Sequence, residues 1–406
     1  VILYLTLVLI GWVNIYAAVY NEEHQSILDT SQRYGKQLIW ISLSLFVAFI
    51  IMIIDGKFYS TFAIPIYISL LLLLVIVLVT ARDVSGARSW IDIGSFKLQP
   101  SEFAKSTTAL ALSYYLSTLN IRMEDLKTKL IAAAILIIPA ALILLQNDTG
   151  SALVFGAFAL VMYREGLSGN FLLFGLAMAV LFIFSLLFTP FTMLIILGSI
   201  AVLVFLFQRK KTWKLGFTIG AALVVLMGLV YSVDYIFNEV LEPHQQVRID
   251  VLLGKTDDPK GAGYNVNQSK IAIGSGGFAG KGFLKGTQTK YDFVPEQTTD
   301  FIFCTVGEEW GFLGAFLVIA LFSALILRIV FISERQKSSF TRIYGYCVAS
   351  ILLFHFIINV GMTIGLMPVI GIPLPFFSYG GSSLLGFTIL LFIFVKLDGY
   401  RLQQLR

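Results

Sequence analysis

Asp300 is the residue of this chain best placed to do chemistry. The polar stretch Gly261 to Gly311 gathers glycines, four lysines and several acids, and within it Asp300 runs straight into an apolar segment. A carboxylate standing where water gives way to hydrocarbon marks a functional site by default. Held within hydrogen-bond reach of a hydroxyl, it can serve as a general base. Upstream, PSEFAK sets Glu102 and Lys105 three residues apart, on one face of a helix that Pro100 is suited to start. They read equally well as a functional pair or as a structural ion pair at a helix start. In QNDTGS, Asp148 stands between two apolar runs with no cation beside it, and its ordinary role there is a helix N-cap. Arg88 and Trp90 suit either a substrate contact or an anchor at the membrane surface.

The glycine cluster Gly274-Ser275-Gly276-Gly277-Phe278-Ala279 fits a loose dinucleotide pattern, but no βαβ unit surrounds it. Gly280-Lys281-Gly282 lacks the Ser or Thr that a phosphate loop requires after its lysine. Two readings remain. Amides freed by glycine, with Lys270, Lys281 and Lys285 nearby, form a nest for a pyrophosphate; or the segment is a surface loop whose lysines meet lipid headgroups. Near the C-terminus, MPVIGIPLPFFSYGGSS holds three prolines and three glycines across 367–383 and cannot form one unbroken helix. Irregular backbone at membrane depth is tolerated only when buried or lining a cavity, so a pocket is expected there, with Ser378 and Gly380 as substrate contacts. Glu308 and Glu309 point to different helical faces, so at most one shares the pocket of Asp300. His24 and His244 read as loop residues, His355 as a packed helix residue, and none has the company of a metal site. Cys304 and Cys347 read as small apolar fillers.

The elements that must position these groups are apolar helices. With 57% apolar and 13% charged residues, the chain excludes an ordinary soluble domain, and its basic residues are too scattered for nucleic-acid binding. The expected fold is all-α, a polytopic helical membrane protein forming a single integral membrane domain over residues 1–406. Apolar runs at roughly 1–20, 36–54, 60–80, 101–119, 129–146, 149–164, 170–188, 191–208, 213–232, 301–330, 342–366 and 376–397 give about twelve helices. Val1 to Tyr20 reads as a first span and not as a cleavable signal. The basic loop Gln208-Arg209-Lys210-Lys211-Thr212-Trp213-Lys214 is the strongest vote for a cytoplasmic side, and both termini then fall inside. That places Arg88, Asp148, the 366–382 cluster and a large loop spanning 233–300 outside. Loops of that length carry function.

Four ordered blocks carry a resemblance: GARSWIDIGSFKLQPSEFAK, QNDTGS, DPKGAGYNVNQSKIAIGSGGFAGKGFLKGTQTKYDFVPEQTTDFIF and MPVIGIPLPFFSYGGSS. Together they cover nearly the whole chain, which resembles the SEDS family (shape, elongation, division and sporulation), its elongation branch more than its division branch. The resemblance implies a peptidoglycan glycosyltransferase polymerising lipid II at the outer face of the bacterial inner membrane. It makes Asp300 the essential carboxylate, Glu102 and Lys105 a functional pair, and Asp148 a further important acid. It also implies a class B penicillin-binding protein as crosslinking partner. Asn147 and Thr149 depart from the family's Pro and Leu, Gln297-Thr298 from its Arg-His, and two helices between 165 and 232 exceed its plan of about ten. Pyrophosphate departure needs positive charge, for which Arg88, Lys105, Lys270 and Lys281 are candidates. A divalent cation is possible in the same role, though no metal-ligand spacing is visible and no other cofactor is evident. A lipid II flippase and a non-catalytic assembly scaffold are the competing readings, but the one-sided polar residues suit an enzyme better than alternating access.

Overall fold

The structure, a computed structural model, describes residues 1–20, 26–81, 88–93, 96–119, 121–208, 212–241, 243–255, 262–291 and 293–401. Among these, ten helices are long and apolar enough to cross a membrane. All twelve apolar runs fold as helix, and the two outside the ten differ for physical reasons. Pro100–Leu116, with 17 residues, is both shorter and more polar than the ten, and it is enclosed by protein. Thirteen of its residues are buried, and it packs on Ala63–Thr80, Ser339–Thr363 and Gly381–Tyr400. A helix so enclosed has no need of an apolar face. Thr149–Arg164 is short and is interrupted by a 3-10 turn over Val154–Ala157. Ten is therefore the number supported by length and composition, and twelve is not established.

By packing, the chain divides into two compact units. Residues 168–263 form one, holding the helices Gly169–Leu187, Pro190–Phe207, Trp213–Tyr235 and Pro243–Leu252. Side chains of Ser168, Thr189 and Thr212 cap the first three, and Pro190 opens the second at the position where its missing N–H costs nothing. Phe171, Phe174 and Phe191 are exposed on these helices, the surface a lipid solvent requires. Within the loop expected over 233–300, the described residues hold several helices. Trp213–Tyr235 runs into a π turn at Ile236–Val240, and Pro243–Leu252, Ala262–Ser275 and Thr287–Lys290 follow. Its polar composition hid the helical period, which survives as a buried stripe of Val266, Ser269 and Ala272.

The other unit, residues 1–167 and 264–406, carries every candidate site residue. Ile302–Glu334 packs on Ser339–Thr363, and Gly381–Tyr400 on Arg33–Ile53. At the end of Ile302–Glu334 away from Asp300, three ion pairs tie helix ends together: Arg164–Glu334 at 3.1 Å, Arg342–Glu165 at 2.9 Å and Arg335–Asp398 at 2.8 Å. Two short antiparallel strands, Ile91–Ile93 and Phe96–Leu98, set Asp92 opposite Lys97 and are the one sheet among the described residues. Cys304 and Cys347 are free and buried.

Candidate active site

Asp300 is half-buried, just ahead of the first turn of Ile302–Glu334. Its position is fixed through the irregular segment 364–380. The Asn359 side-chain amide donates to the Asp300 carbonyl and to the Ile372 carbonyl, both at 2.8 Å. Ser378 Oγ donates to the Thr299 carbonyl at 2.6 Å and accepts from the Leu374 N–H at 2.9 Å. Tyr379 N–H donates to the Thr298 carbonyl at 2.8 Å. A helix side chain, Asn359, together with a side chain and a backbone N–H of the irregular segment, thus satisfies backbone groups that a continuous helix would have paired. A Cβ added at Gly371 would lie 3.5 Å from Asp300 Oδ2, so the carboxylate rests against this segment.

A buried polar chain leads inward from the same segment. Lys105 Nζ donates to Glu102 Oε2 at 2.9 Å and contacts His355 Nε2 at 3.2 Å, while His355 Nδ1 lies 3.1 Å from the Pro373 carbonyl. An ammonium only donates, so Nε2 accepts and the imidazole proton sits on Nδ1, facing Pro373. Lys105 also lies 4.4 Å over the Phe387 ring, which His355 meets edge-on. Glu102 and Lys105 are 3% and 2% exposed, so their charges are compensated by each other and not by water.

Asp148 fills its ordinary role and more. Oδ1 accepts from the Ser151 N–H at 3.0 Å, as an N-cap, and Oδ2 accepts from Gln99 Nε2 at 2.8 Å and Ser101 Oγ at 3.1 Å. Asn147 ends the preceding helix with φ of 61°, its N–H bonded to Leu144 and that of Asp148 to Ile143. Asn tolerates this left-handed conformation, and Pro cannot adopt it. That is the physical content of the departure at 147. A Cβ at Gly150 would meet the Ile370 carbonyl at 2.4 Å, so the turn that Asp148 caps, like Asp300, stands beside the 364–380 segment.

The glycine cluster is neither a nest nor a loose loop. Ile302–Glu334 is broken at Gly311, with φ 62° and ψ −156°, which frees carbonyls at 308 and 309 and N–H groups at 312 and 313. The cluster takes up all four: Lys281 and Gly282 N–H donate to the Glu308 and Glu309 carbonyls at 3.0 and 2.9 Å, and Phe312 and Leu313 N–H donate to Gly277 and Phe278 at 2.9 and 3.2 Å. Backbones approach so closely that a Cβ at Gly280 would lie 2.1 Å from the Glu309 carbonyl. Amides committed in this way do not bind pyrophosphate. Lys281 pairs with buried Glu308 at 2.7 Å, and Glu308 also accepts from the backbone of Thr287, Gln288 and Thr289, so this carboxylate closes the 286–290 turn. Glu309 is buried too and accepts from the Leu284 N–H.

Of the remaining candidates, Lys270 is exposed on Ala262–Ser275 and passes Gly365; Arg88 is exposed, its N–H bonded to the Gln146 carbonyl at 2.9 Å. Gly380 N–H donates to Gln37 Oε1 at 3.3 Å. Sequence reasoning missed His355 as a link, Asn359 as a bridge, and Arg33, whose guanidinium reaches Thr298 Oγ1 at 2.6 Å. A cation therefore stands just before Asp300 although Gln297-Thr298 supply none. Among the described residues no three His, Cys, Asp or Glu side chains gather as a metal cluster. His24, Arg209–Lys211 and the side chain of His244 lie outside the described residues.

Fold and site together define a polytopic helical membrane protein with a half-buried acid at one end of its bundle, backed by a buried ion pair. The chain belongs to the cell cycle protein family of FtsW, RodA and SpoVE, whose signature matches residues 1–193 and 162–403. It is 34% identical to the peptidoglycan glycosyltransferase RodA of Treponema pallidum (strain Nichols), over 94% of this chain and 92% of that one. To the peptidoglycan glycosyltransferase MrdB of Escherichia coli (strain K12) it is 32% identical, over 92% and 88%. Its fold matches a chain from a structure titled as the structural coordination of polymerization and crosslinking by a peptidoglycan synthase complex, with a TM-score of 0.72, 26% identity and 99% and 97% coverage.

Proposed function

We propose that this protein is a peptidoglycan glycosyltransferase that joins the disaccharide units of lipid II into glycan strands at the outer face of the bacterial inner membrane during elongation. Asp300 is the general base. It takes the proton from the acceptor sugar's 4-hydroxyl as that oxygen bonds to the donor's anomeric carbon, and the polyprenyl pyrophosphate leaves with the electron pair of the broken glycosidic phosphate bond. The observation that carries this reading is a half-buried carboxylate at the start of a membrane helix, its backbone held by Asn359 and that of the preceding Thr299 by Ser378. Positive charge for the departing pyrophosphate comes from Arg33 and Arg88, which are exposed, with Lys270 as a further candidate; Lys281 is engaged by Glu308. Lys105 is buried beside Glu102 and acts through the shape of the 364–380 segment. A divalent cation bound by Asp300 and substrate phosphate would add to the same charge.

The membrane orientation belongs to the same reading. Lys57, Arg122, Lys127, Lys129, Arg335 and Lys337 lie between or at the ends of membrane helices on the side that the excess of basic residues assigns to the cytoplasm, and on that reading Asp300 is outside and both termini inside. Crosslinking is assigned to a second protein: the likeness to a chain of a peptidoglycan synthase complex that coordinates polymerization and crosslinking supports a class B penicillin-binding protein in that role. The test is polymerisation by purified protein in lipid vesicles, with lipid II as substrate and products resolved by length on a gel. Glycan ladders from the parent and none from Asp300→Asn support the proposal. Transfer of lipid II across the bilayer without polymer would make the protein a transporter.

A further inference from the structure

The turn 146–151 holds the strand pair Ile91–Ile93 and Phe96–Leu98 at both of its ends. On the entry side, Arg88 N–H donates to the Gln146 carbonyl at 2.9 Å; on the exit side, Gln99 Nε2 donates to Asp148 Oδ2 at 2.8 Å. A third tie comes from the start of Gly381–Tyr400, where Ser382 Oγ donates to the Lys97 carbonyl and accepts from the Gln99 N–H, both at 3.1 Å. Through Gly150 the same turn meets the Ile370 carbonyl of the irregular segment. Asp148 commits its two oxygens to the Ser151 N–H, the Gln99 amide and the Ser101 hydroxyl. The Arg88 side chain is left exposed.

We infer that Gln99 is a positioning residue for the polymerisation proposed above, on which this inference rests: clamped by Asp148, it fixes the strand pair, and with it Arg88, for the departing pyrophosphate. Two strands alone are marginally stable, so the geometry of this pair is supplied by what it is tied to. Gln99 joins two of those ties, its side chain reaching the Asp148 turn and its N–H reaching Ser382. Asp148 is then an anchor and not an acid or base, since hydrogen bonds donated to a carboxylate hold it in its charged form. The two roles make different chemical demands. An anchor needs one donor matched to one acceptor, in either order, whereas an acid or base needs a carboxyl group at position 148 itself.

The experiment measures kcat/KM for lipid II polymerisation by the full chain in vesicles, with a thermal melt of each variant. Gln99→Glu sets two carboxylates against each other and should lower kcat/KM by about tenfold or more, through displacement of the strand pair. Adding Asp148→Asn reverses donor and acceptor, because the new amide still caps Ser151 and now donates to the carboxylate at 99. This double variant should recover most of the loss, an interaction of about tenfold. A double variant no better than Gln99→Glu, or a Gln99→Glu protein as active as the parent, overturns the inference. A second cycle separates positioning from mere stability. Gln99→Leu should lower kcat/KM in the parent but by no more than about twofold in Arg88→Gln, where the cation it places is gone, while shifting Tm equally in both. Equal losses of kcat/KM in the two backgrounds would make Gln99 structural only. A parent that forms no polymer overturns the proposed function and this inference with it, whereas an active parent beside an unrescued pair overturns this inference alone.

Discussion

Asp300 and the Glu102–Lys105–His355 chain do different work, and substitution separates them. Asp300→Asn keeps volume and hydrogen bonding but cannot take a proton, so folding should survive while glycan synthesis falls by ~10²–10⁴. Asp300→Glu displaces the carboxylate by about an ångström and should recover little, because misplacement on that scale alone costs ~10². Near-parental ladders from Asp300→Asn would remove it from catalysis. Glu102→Ala behaves otherwise. It leaves a buried ammonium facing a neutral imidazole and should cost roughly 3–5 kcal/mol of stability, more than Glu102→Gln and Lys105→Met made together. A double-mutant cycle on melting temperature reads this directly, and strict additivity would return the pair to an ordinary helix start. The pair itself was legible, because a three-residue spacing on a helix is a local fact. His355 and Arg33 were not. Their partners Lys105 and Thr298 lie 250 and 265 positions away, and no local pattern encodes such contacts.

At the scale of elements, the glycine run and the Asn147-Asp148 joint show how one residue type takes different duties within a few positions. At Gly280, with φ 81° and a carbonyl where a Cβ would go, Gly280→Ala should cost roughly 2–4 kcal/mol, combining a forbidden backbone with overpacking. Gly274→Ala lies in a helix with open space around it and should instead stabilise by up to ~1 kcal/mol. Opposite signs in thermal melts would establish the contrast, and equal losses would contradict the packing described. Asn147→Ala should cost about 1–2 kcal/mol and Asn147→Gly little, since only the left-handed conformation is at stake. Asp148 as a cap, the break at 364–380 and most helix positions could be read from sequence. The helices inside 233–300 could not, because their polar faces mask the period. The strands Ile91–Ile93 and Phe96–Leu98 fell in a stretch read for Arg88, Trp90 and the helix start at Pro100, although alternating residues around Gly94-Ser95 carry a hairpin signal.

For the whole molecule, hydrocarbon as solvent was evident from composition, and the described residues hold ten helices long and apolar enough to span it. The number of spans was harder, because hydropathy measures what a helix offers to lipid, and Pro100–Leu116 offers almost nothing. Orientation makes its own prediction. Lys285 and Lys337 are exposed near opposite ends of Ile302–Glu334. Cysteines placed there should label from outside in intact cells at 285 and only after lysis at 337. The reverse pattern would invert the molecule and move Asp300 to the wrong side for its substrate.

The seam at Gly311 bears on how this region behaves in time. A run as rich in glycine as 274–282 would ordinarily exchange its amide hydrogens with solvent within seconds, yet those of Lys281 and Gly282 are engaged by carbonyls that a helix released. Opening either one requires the buried Glu308 turn to come away as well. Deuterium uptake at 281 and 282 should therefore be as slow as in the helix they mend, and Gly280→Ala should release protection on both sides of the break together.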